Sequence, residues 1–271
     1  MYPTMIVRHD NFPSQFIPAR HVHVWLLDNY EQQPNSRYSV LYMHDGQNLF
    51  SPETATDGQT WGVAEALQTL IASNEVRPTI IVGIFNHKNR WEEYCPERPL
   101  THSNAKNLWQ KFRSFFAVPI RSDNYLRFLI EELKPFIDHT YRTKPEREET
   151  FIMGSSMGGL ISLYALCEYP QVFAGAGCLS THWPAVEGII LPYLEEALPP
   201  PGQHKIYFDY GTKTLDALYE PLQKPVDTLM VQKGYQPNVD WLTRRFGGAE
   251  HNEPAWRARV HIPLTFLLKN S

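Results

Sequence analysis

Apolar and polar positions alternate near the start of the chain, and continuous apolar runs follow at intervals. The alternation over residues 4–9 and 20–28 is typical of strands with one buried face. The run 79–85 is rich in β-branched residues, as strands buried on both faces are. Further strands are predicted at 38–43, 150–153, 174–179, 205–211 and 239–246.

Segments in which apolar residues have helical spacing separate most of these predicted strands. They lie at 62–72, 124–138, 158–168, 217–233 and 254–268. Pro135 is expected to kink or bound the second segment, whereas Pro254 falls in a first turn, where a missing N–H costs little. The alternation predicts an α/β fold, with a mostly parallel central sheet, helices on both faces and antiparallel N-terminal strands at one edge. We expect a single domain over residues 1–271.

The composition excludes several other classes of protein. The 271 residues include 25 Lys and Arg against 29 Asp and Glu, a formal net charge of −4, so no nucleic-acid partner is expected. No apolar run reaches the ~18–20 residues that span a bilayer, so no membrane partner is expected. The N-terminus lacks the apolar segment of a secretory signal, which predicts a cytoplasmic protein. The three cysteines form no metal-binding motif, and the sequence does not indicate an oligomeric state.

A serine motif follows the predicted strand at 150–153. Gly154-Ser155-Ser156-Met157-Gly158 fits G-x-S-x-G, in which a sharp strand-to-helix turn lifts the central hydroxyl above the sheet. Ser156 is therefore the candidate nucleophile, and Ser155, one residue off the centre, is the alternative. A glycine-rich turn with a helix-capping serine is the noncatalytic interpretation. The N–H of Met157, at the start of the following helix, is a candidate oxyanion donor.

A serine hydroxyl needs a base within hydrogen-bonding reach. His251 lies in a glycine-containing loop between the last predicted strand and the last predicted helix, where a hydrolase of this chain order places its base. His261 falls inside the final helix, and His204 precedes a strand, at the wrong end of the sheet. His182 follows a strand at its carboxyl end and is a candidate for the pocket lining. We therefore expect His251 to act as the base.

The carboxylate that orients the base should follow the strand at 205–211. Asp216 lies five residues past the end of that strand and is favoured. Asp209 lies within the strand and remains open, either as the acid or as a buried polar group. The second oxyanion donor should come from the loop after 38–43, where the N–H of Gln47 is the candidate and Asp45 is a turn residue or part of the site.

The segment 86–122 leaves a central strand on the side of the sheet where the site is expected. Its many aromatic residues predict a pocket wall or lid, with an ordered loop packed on the core as the alternative. Trp61 and Trp183 are further candidates for an apolar substrate-binding wall. Arg90 is a candidate for binding an anionic substrate group, although an ion pair with Glu92 or Glu93 is the structural interpretation. The aromatic residues are Trp91, Tyr94, Trp109, Phe112, Phe115 and Phe116.

Seven stretches of the chain resemble the esterase family of the α/β-hydrolase superfamily, a group that contains esterase D-like, feruloyl-esterase-like and enterochelin-esterase-like enzymes. They occur in order along most of the chain. The stretches are YSVLYMHDGQNLF (38–50), WGV (61–63), NRWEEYCPE (89–97), NYLRFLIEELKPFIDHTYRT (124–143), FIMGSSMGGLISLYA (151–165), FDYGTKTLDALYEP (208–221) and GGAEHNEPAWRARV (247–260).

The resemblance implies an α/β-hydrolase fold and a triad of Ser156, an acid and His251, and it points to Asp216 rather than Asp209. We expect a serine carboxylic ester hydrolase that acts through an acyl-enzyme on a small or aryl ester, with no metal or organic cofactor. Because 98–122 matches least, the identity of the substrate is not implied. The family also contains mycolyl-type acyltransferases, so acyl transfer or thioester cleavage by the same triad is one alternative. A noncatalytic binding protein on a hydrolase scaffold is the other.

Overall fold

Eight strands form one sheet in the computed structural model, which describes residues 5–101, 119–186 and 189–270. The strands are β1 (Met5–Phe12), β2 (Arg20–Leu26), β3 (Ser39–His44), β4 (Thr79–Ile84), β5 (Thr150–Ser155), β6 (Gly175–Leu179), β7 (Lys205–Tyr210) and β8 (Trp241–Arg245). Across the sheet they follow the order β1-β2-β4-β3-β5-β6-β7-β8. Each strand overlaps a segment that the hydrophobic pattern predicts.

The sheet is parallel except at one edge. β1 pairs antiparallel with β2, and β2 pairs antiparallel with β4. Every neighbouring pair from β4 to β8 is parallel. The predicted mostly parallel sheet with antiparallel N-terminal strands is therefore confirmed. Since parallel strands end at the same edge, the loops that follow β3, β5, β6, β7 and β8 meet there.

Small residues in β6 allow helices to pack closely on both faces of the sheet. A Cβ on Gly175 or Gly177 would lie 3.0 or 3.2 Å from the side chain of Leu267, which belongs to the helix His261–Leu268. The thiol of Cys178, one residue further, instead interacts with Cys167 in the helix Met157–Glu168. Successive strand residues face opposite sides of a sheet, so these two helices cover opposite faces.

The helices that cover the sheet mostly agree with the predicted segments. Their bounds are Val63–Ala72, Arg90–Tyr94, Glu97–Thr101, Ser122–Arg127, Lys134–Thr140, Met157–Glu168, Ile190–Ala197, Glu220–Gln232, Glu253–Arg257 and His261–Leu268. A π-helical stretch, Phe128–Leu133, joins the fourth helix to the fifth. Pro135 lies in the first turn after this stretch, so the helix continues past the proline by widening just before it.

Among the residues that the structure describes, three helices fall outside the predicted segments, and one predicted helix is divided. The segments Arg90–Tyr94, Glu97–Thr101 and Ile190–Ala197 are helical, although the pattern of apolar residues did not single them out. The predicted helix at 254–268 is two helices, Glu253–Arg257 and His261–Leu268. Within the described residues, no helix is long and apolar enough to cross a lipid bilayer.

Candidate active site

Ser156 occupies a strained turn between β5 and the helix Met157–Glu168. Its φ of 57° and ψ of −123° are unusual for a residue with a side chain. The backbone N–H of Ser156 donates a 2.9 Å hydrogen bond to the carbonyl of Leu179, which fixes the turn against the end of β6. A Cβ on Gly154 would lie 2.7 Å from the carbonyl carbon of Gly158, so the start of the turn needs glycine. This is the sharp turn that G-x-S-x-G predicts, with Ser156 rather than Ser155 at its apex.

His251 and Asp216 are joined by a short hydrogen bond at the same edge of the sheet. Asp216 lies in a 3₁₀ turn, Thr214–Leu218, that follows β7, and His251 lies in the loop after β8. Nδ1 of His251 is 2.6 Å from Oδ1 of Asp216. The carboxylate is fully buried, whereas the imidazole side chain is 14% exposed. The buried acid can therefore orient a base whose other ring nitrogen remains available.

Three groups hold the second oxygen of Asp216. Its Oδ2 accepts hydrogen bonds of 2.6 Å from the backbone N–H of Gly211 and 2.7 Å from the hydroxyl of Ser180. Nη2 of Arg259 lies 3.9 Å from the same oxygen. These contacts fix the orientation of the Asp216 carboxylate, whose other oxygen faces Nδ1 of His251.

Asp209, the alternative acid, pairs with Arg259 instead of a histidine. It accepts hydrogen bonds of 3.1 and 3.0 Å from Nε and Nη2 of Arg259, and one of 3.0 Å from the hydroxyl of Tyr207. Burial raises the pKa of Asp209, and the guanidinium of Arg259 opposes that increase. Asp209 therefore lies where a buried polar group would, which is the second of the two interpretations that its position within a strand leaves open.

The two candidate oxyanion donors follow neighbouring strands. Met157 is the first residue of its helix, and the first N–H groups of a helix have no acceptor within that helix. Gln47 lies in the 3₁₀ turn Gly46–Asn48 directly after β3, which pairs with β5. The side-chain oxygen of Gln47 accepts a 3.2 Å hydrogen bond from the N–H of Asn86, which ties this turn to the residues that follow β4.

Arg90 binds Asp45, the residue that begins the Gln47 turn. Nε and Nη2 of Arg90 each lie 2.7 Å from one carboxylate oxygen of Asp45. Burial acts to raise the pKa of Asp45, but Arg90 and a hydrogen bond from Asn86 lower it below its ordinary value. The predicted ion pair with Glu92 or Glu93 is wrong, since Asp45 is the partner and Glu93 pairs with Arg20. Arg90 thus fastens its helix to the candidate oxyanion turn.

The two tryptophans expected to form an apolar wall lie in the core. Trp183 is 1% exposed and donates a 2.9 Å hydrogen bond from its indole N–H to Gln223. Trp61 is 2% exposed and packs against Trp256, with ring centroids 5.5 Å apart. Neither ring forms an open wall, because the surrounding helices cover both. Trp91, in contrast, is 49% exposed.

The other histidines take different positions. His204 lies ahead of β7, away from the site, and its Nε2 is 2.8 Å from the carbonyl of Pro170. His261 is exposed at the first residue of the last helix. His182 follows β6, and its backbone N–H donates a 3.1 Å hydrogen bond to the carbonyl of Ser156. Burial lowers the pKa of His182 to about 4, with smaller contributions from the charges of His251 and Arg90.

Sequence reasoning did not identify Ser180, Arg259 or Tyr219. Ser180 follows β6 at the edge where the site lies, and that position was its available signal. Tyr219 lies three residues after Asp216, and its hydroxyl is 2.8 Å from Nδ1 of His182. The rings of Tyr219 and His251 are perpendicular, with centroids 5.7 Å apart. Within the described chain, no hydrogen bond of 3.5 Å or less joins the side chains of Ser156 and His251, a contact that often tightens when substrate binds.

The predicted wall or lid at 86–122 is described only in part. Its first residues form the helices Arg90–Tyr94 and Glu97–Thr101, which lie beside the site through the Arg90–Asp45 pair. Trp109, Phe112, Phe115 and Phe116 fall outside the described residues.

A family model matches most of the chain. The model described as "Putative esterase" matches residues 17–262. The chain belongs to the esterase family. Curated relatives of this esterase-family chain include the uncharacterized protein YbbA of Bacillus subtilis (strain 168), which is 25% identical over 225 residues and 80% of each protein. The ferri-bacillibactin esterase BesA of the same organism is 27% identical over 171 residues, 60% of this chain and 55% of BesA.

Solved esterase structures share the fold of this esterase-family chain. A ferulic acid esterase superposes with a TM-score of 0.71 at 20% identity, covering 98% of both chains. The enterobactin esterase FES from Shigella flexneri gives a TM-score of 0.69 at 16% identity, covering 98% of this chain and 59% of FES. At such identities the likeness shows the α/β-hydrolase-type fold, and the family membership supports carboxylic ester hydrolysis.

Proposed function

We propose that this esterase-family chain is a serine carboxylic ester hydrolase that acts through an acyl-enzyme. The observation that carries the proposal is the 2.6 Å contact between His251 and the buried Asp216, at the sheet edge where the strained Ser156 turn also lies. A nucleophile, a base and an orienting acid from three separate loops meet there. A glycine-rich turn that only capped a helix would not need the buried acid and histidine beside it.

In the first half of the reaction, Ser156 Oγ attacks the ester carbonyl while Nε2 of His251 takes the serine proton. Asp216 stabilises the resulting imidazolium through Nδ1. The N–H groups of Met157 and Gln47 bind the oxyanion of the tetrahedral intermediate. His251 then gives its proton to the leaving alcohol as the C–O bond breaks, which leaves the acyl group on Ser156.

In the second half, a water molecule attacks the acyl-enzyme. His251 removes a proton from this water, and the same two N–H groups bind the second oxyanion. Collapse of that intermediate returns the proton to Ser156 Oγ and releases the carboxylic acid. Each proton move in the cycle uses His251, so one base serves both halves.

The proposed substrate is a small or aryl ester. The proteins that this chain resembles include a ferulic acid esterase and the ferri-bacillibactin esterase BesA, each named for its own ester substrate. On this chain, the half-exposed ring of Trp91 lies edge-on to His182 at 5.3 Å and offers an apolar surface close to Ser156. A flat acyl or alcohol group would pack against that surface.

The test combines turnover with covalent labelling. The wild type should hydrolyse p-nitrophenyl acetate and react with a fluorophosphonate probe, and Ser156→Ala should lose both properties while its circular dichroism is unchanged. Ser155→Ala is the matched control, since it removes the neighbouring hydroxyl, and it should keep labelling. Ester turnover by folded Ser156→Ala would refute the assignment of Ser156 as the nucleophile. Faster consumption of the ester when an alcohol acceptor is added would favour acyl transfer, and faster consumption of a thioester would favour thioester cleavage.

A further inference from the structure

Two side chains beside Ser156 have no task in the acyl-enzyme cycle. The hydroxyl of Tyr219 is 2.8 Å from Nδ1 of His182, and the backbone N–H of His182 lies 3.1 Å from the Ser156 carbonyl oxygen. His182 is only half-buried. Its Nε2 has no hydrogen-bond partner in the part of the chain that the structure describes. A fixed imidazole with one unused nitrogen is therefore available next to the nucleophile.

These residues lie next to His251, the group that releases the alcohol. The ring of Tyr219 contacts the ring of His251 at 5.7 Å, and the backbone N–H of His182 donates to the Ser156 carbonyl. In the proposed function, on which this inference rests, His251 passes its proton to the leaving oxygen. A group attached close to that oxygen would therefore lie near His182. The exposed Trp91, edge-on to His182, borders the same place.

We propose that Nε2 of His182, held by Tyr219, binds a hydroxyl group on the alcohol portion of the ester. The hydrogen bond between Tyr219 and Nδ1 fixes the imidazole ring in place and leaves Nε2 as the free atom. Nε2 either donates or accepts, depending on the tautomer, and a hydroxyl group satisfies both cases. His182 would thus select hydroxyl-bearing alcohols over alkyl alcohols of the same size.

The charge state of His182 argues for a neutral ligand group. Burial lowers its pKa to about 4, and the charges of His251 and Arg90 act in the same direction. The imidazole is therefore neutral near pH 7, so it offers a hydrogen bond rather than a positive charge. A carboxylate or phosphate on the alcohol would gain no ion pair from it, which favours a hydroxyl group.

The test compares two esters of one acid, 2-hydroxyethyl butanoate and propyl butanoate, which differ by a hydroxyl in place of a methyl group. The readout is the ratio of their kcat/KM values. For the wild type we expect a ratio of about ten in favour of the hydroxyethyl ester, the size that one neutral hydrogen bond gives. His182→Phe should bring the ratio to about one, and the exposed His261→Gln should leave it at the wild-type value. If His182→Phe does not fold, Tyr219→Phe, which removes only the hydroxyl that holds His182, should lower the ratio.

Separate outcomes overturn the two proposals. A wild type that hydrolyses p-nitrophenyl acetate but shows a ratio near one, or a His182→Phe variant with the wild-type ratio, overturns the role of His182 and leaves the esterase assignment in place. A second pair of esters, propyl 4-hydroxybutanoate and propyl pentanoate, carries the same difference on the acyl side. If His182→Phe abolishes the preference for a hydroxyl only in this pair, the proposed role of His182 on the alcohol side is also overturned. A wild type that hydrolyses none of these esters overturns both the esterase function and the role of His182.

Discussion

Ser180 donates a 2.7 Å hydrogen bond to the same carboxylate, Asp216, that orients His251. The Ser180 hydroxyl in turn accepts hydrogen bonds of 2.8 Å from Arg259 and 3.1 Å from the indole N–H of Trp256. Its backbone N–H donates to Asp209, which also binds Arg259. One serine thereby links the carboxylate that contacts His251 to a buried ion pair, and in the proposed mechanism it is a positioning residue.

Replacing Ser180 by alanine should slow the chemical step with little change in substrate binding. Asp216 would lose one of its two fixed donors, and Arg259 and Trp256 would lose a shared acceptor. A hydrogen bond to a charged group is worth about 1.5–3 kcal/mol, so we expect kcat to fall about tenfold, with KM unchanged. Steady-state kinetics on p-nitrophenyl acetate measures both parameters.

A matched control exists at the N-terminal end of the parallel strands, away from the site. Ser39 is also buried, and its hydroxyl also donates to a carboxylate, that of Glu149, but it begins β3 and lies far from Ser156. Ser39→Ala should lower the free energy of unfolding and leave kcat at the wild-type value. Equal effects of the two variants on kcat would show that Ser180 contributes only stability.

The two aspartates near the end of β7 should respond differently to the same substitution. Asp216→Asn presents an amide to Nδ1 of His251 and favours the wrong tautomer, so kcat should fall by about 10⁴. Asp209→Asn leaves His251 in place but removes the buried partner of Arg259. Breaking such a pair costs about 3–5 kcal/mol, which urea unfolding should detect.

The comparison of kcat with stability separates these two roles. The kcat of Asp209→Asn should be more than a hundredfold higher than that of Asp216→Asn when both are measured under conditions well below the unfolding transition. The reverse order would make Asp209 the triad acid.

Substituting Arg90 distinguishes the two roles that its sequence position allows. Arg90→Gln leaves the buried Asp45 without its bidentate partner, and the turn that carries Gln47 should lose its fixed position. Loss of an oxyanion donor costs about 10²–10³ in kcat, so partial misplacement should reduce kcat about 10- to 100-fold for all esters. If Arg90 instead bound substrate, KM would rise only for an anionic ester. Steady-state kinetics with p-nitrophenyl acetate and the anionic mono-p-nitrophenyl succinate decides between these two roles of Arg90. Arg90→Lys is the charge-preserving control.

His44 makes the stability of the folded chain depend on acidity. Burial lowers its pKa to about 3 from an ordinary value of 6.5, and its Nδ1 is 2.7 Å from the hydroxyl of Tyr125. Between these values the unfolded chain binds a proton at this position and the folded chain does not. Stability therefore falls as the pH falls through that range, by up to about 1.4 kcal/mol per pH unit from this group.

The free energy of unfolding between pH 6.5 and 4.5 checks this prediction. His44→Phe should lower stability at pH 7, because Tyr125 loses its partner, yet it should flatten the dependence on pH by roughly 1 kcal/mol per unit. The exposed His261→Gln serves as the control and should keep the wild-type slope. An unchanged slope in His44→Phe would mean that His44 is already protonated in the folded chain.

The sheet and the main candidate site residues can be predicted from the sequence because each has a local signature. The run at 79–85 predicts a buried strand, and G-x-S-x-G fixes both Ser156 and the glycines that its turn requires. Because the base follows the serine along the chain in this type of hydrolase, few histidines are candidates for it. Asp209 and Asp216 stayed open, because both lie near the end of one strand and only the direction of each side chain separates them.

The remaining features depend on contacts between distant positions. Ser180 is a single small polar residue at a strand end, and no periodicity reveals that it touches Asp216. The apolar pattern of the last predicted helix continues through 258–260, so it does not show the break that precedes His261–Leu268. Trp61 and Trp183 are candidates for an apolar substrate-binding wall because aromatic side chains can line such pockets. The composition does not show which of these rings are covered by other helices.

The order in which the site residues occur along the chain matters during synthesis. Ser156 and its turn emerge from the ribosome well before Asp216, His251 and Arg259, all of which follow β7. In the proposed mechanism, a nascent chain that ends after β6 carries the nucleophile with neither base nor acid, and so it would turn over no ester. Ser156 would become competent only once β8 and the C-terminal helices have docked, which would make ester turnover a direct readout of completed folding.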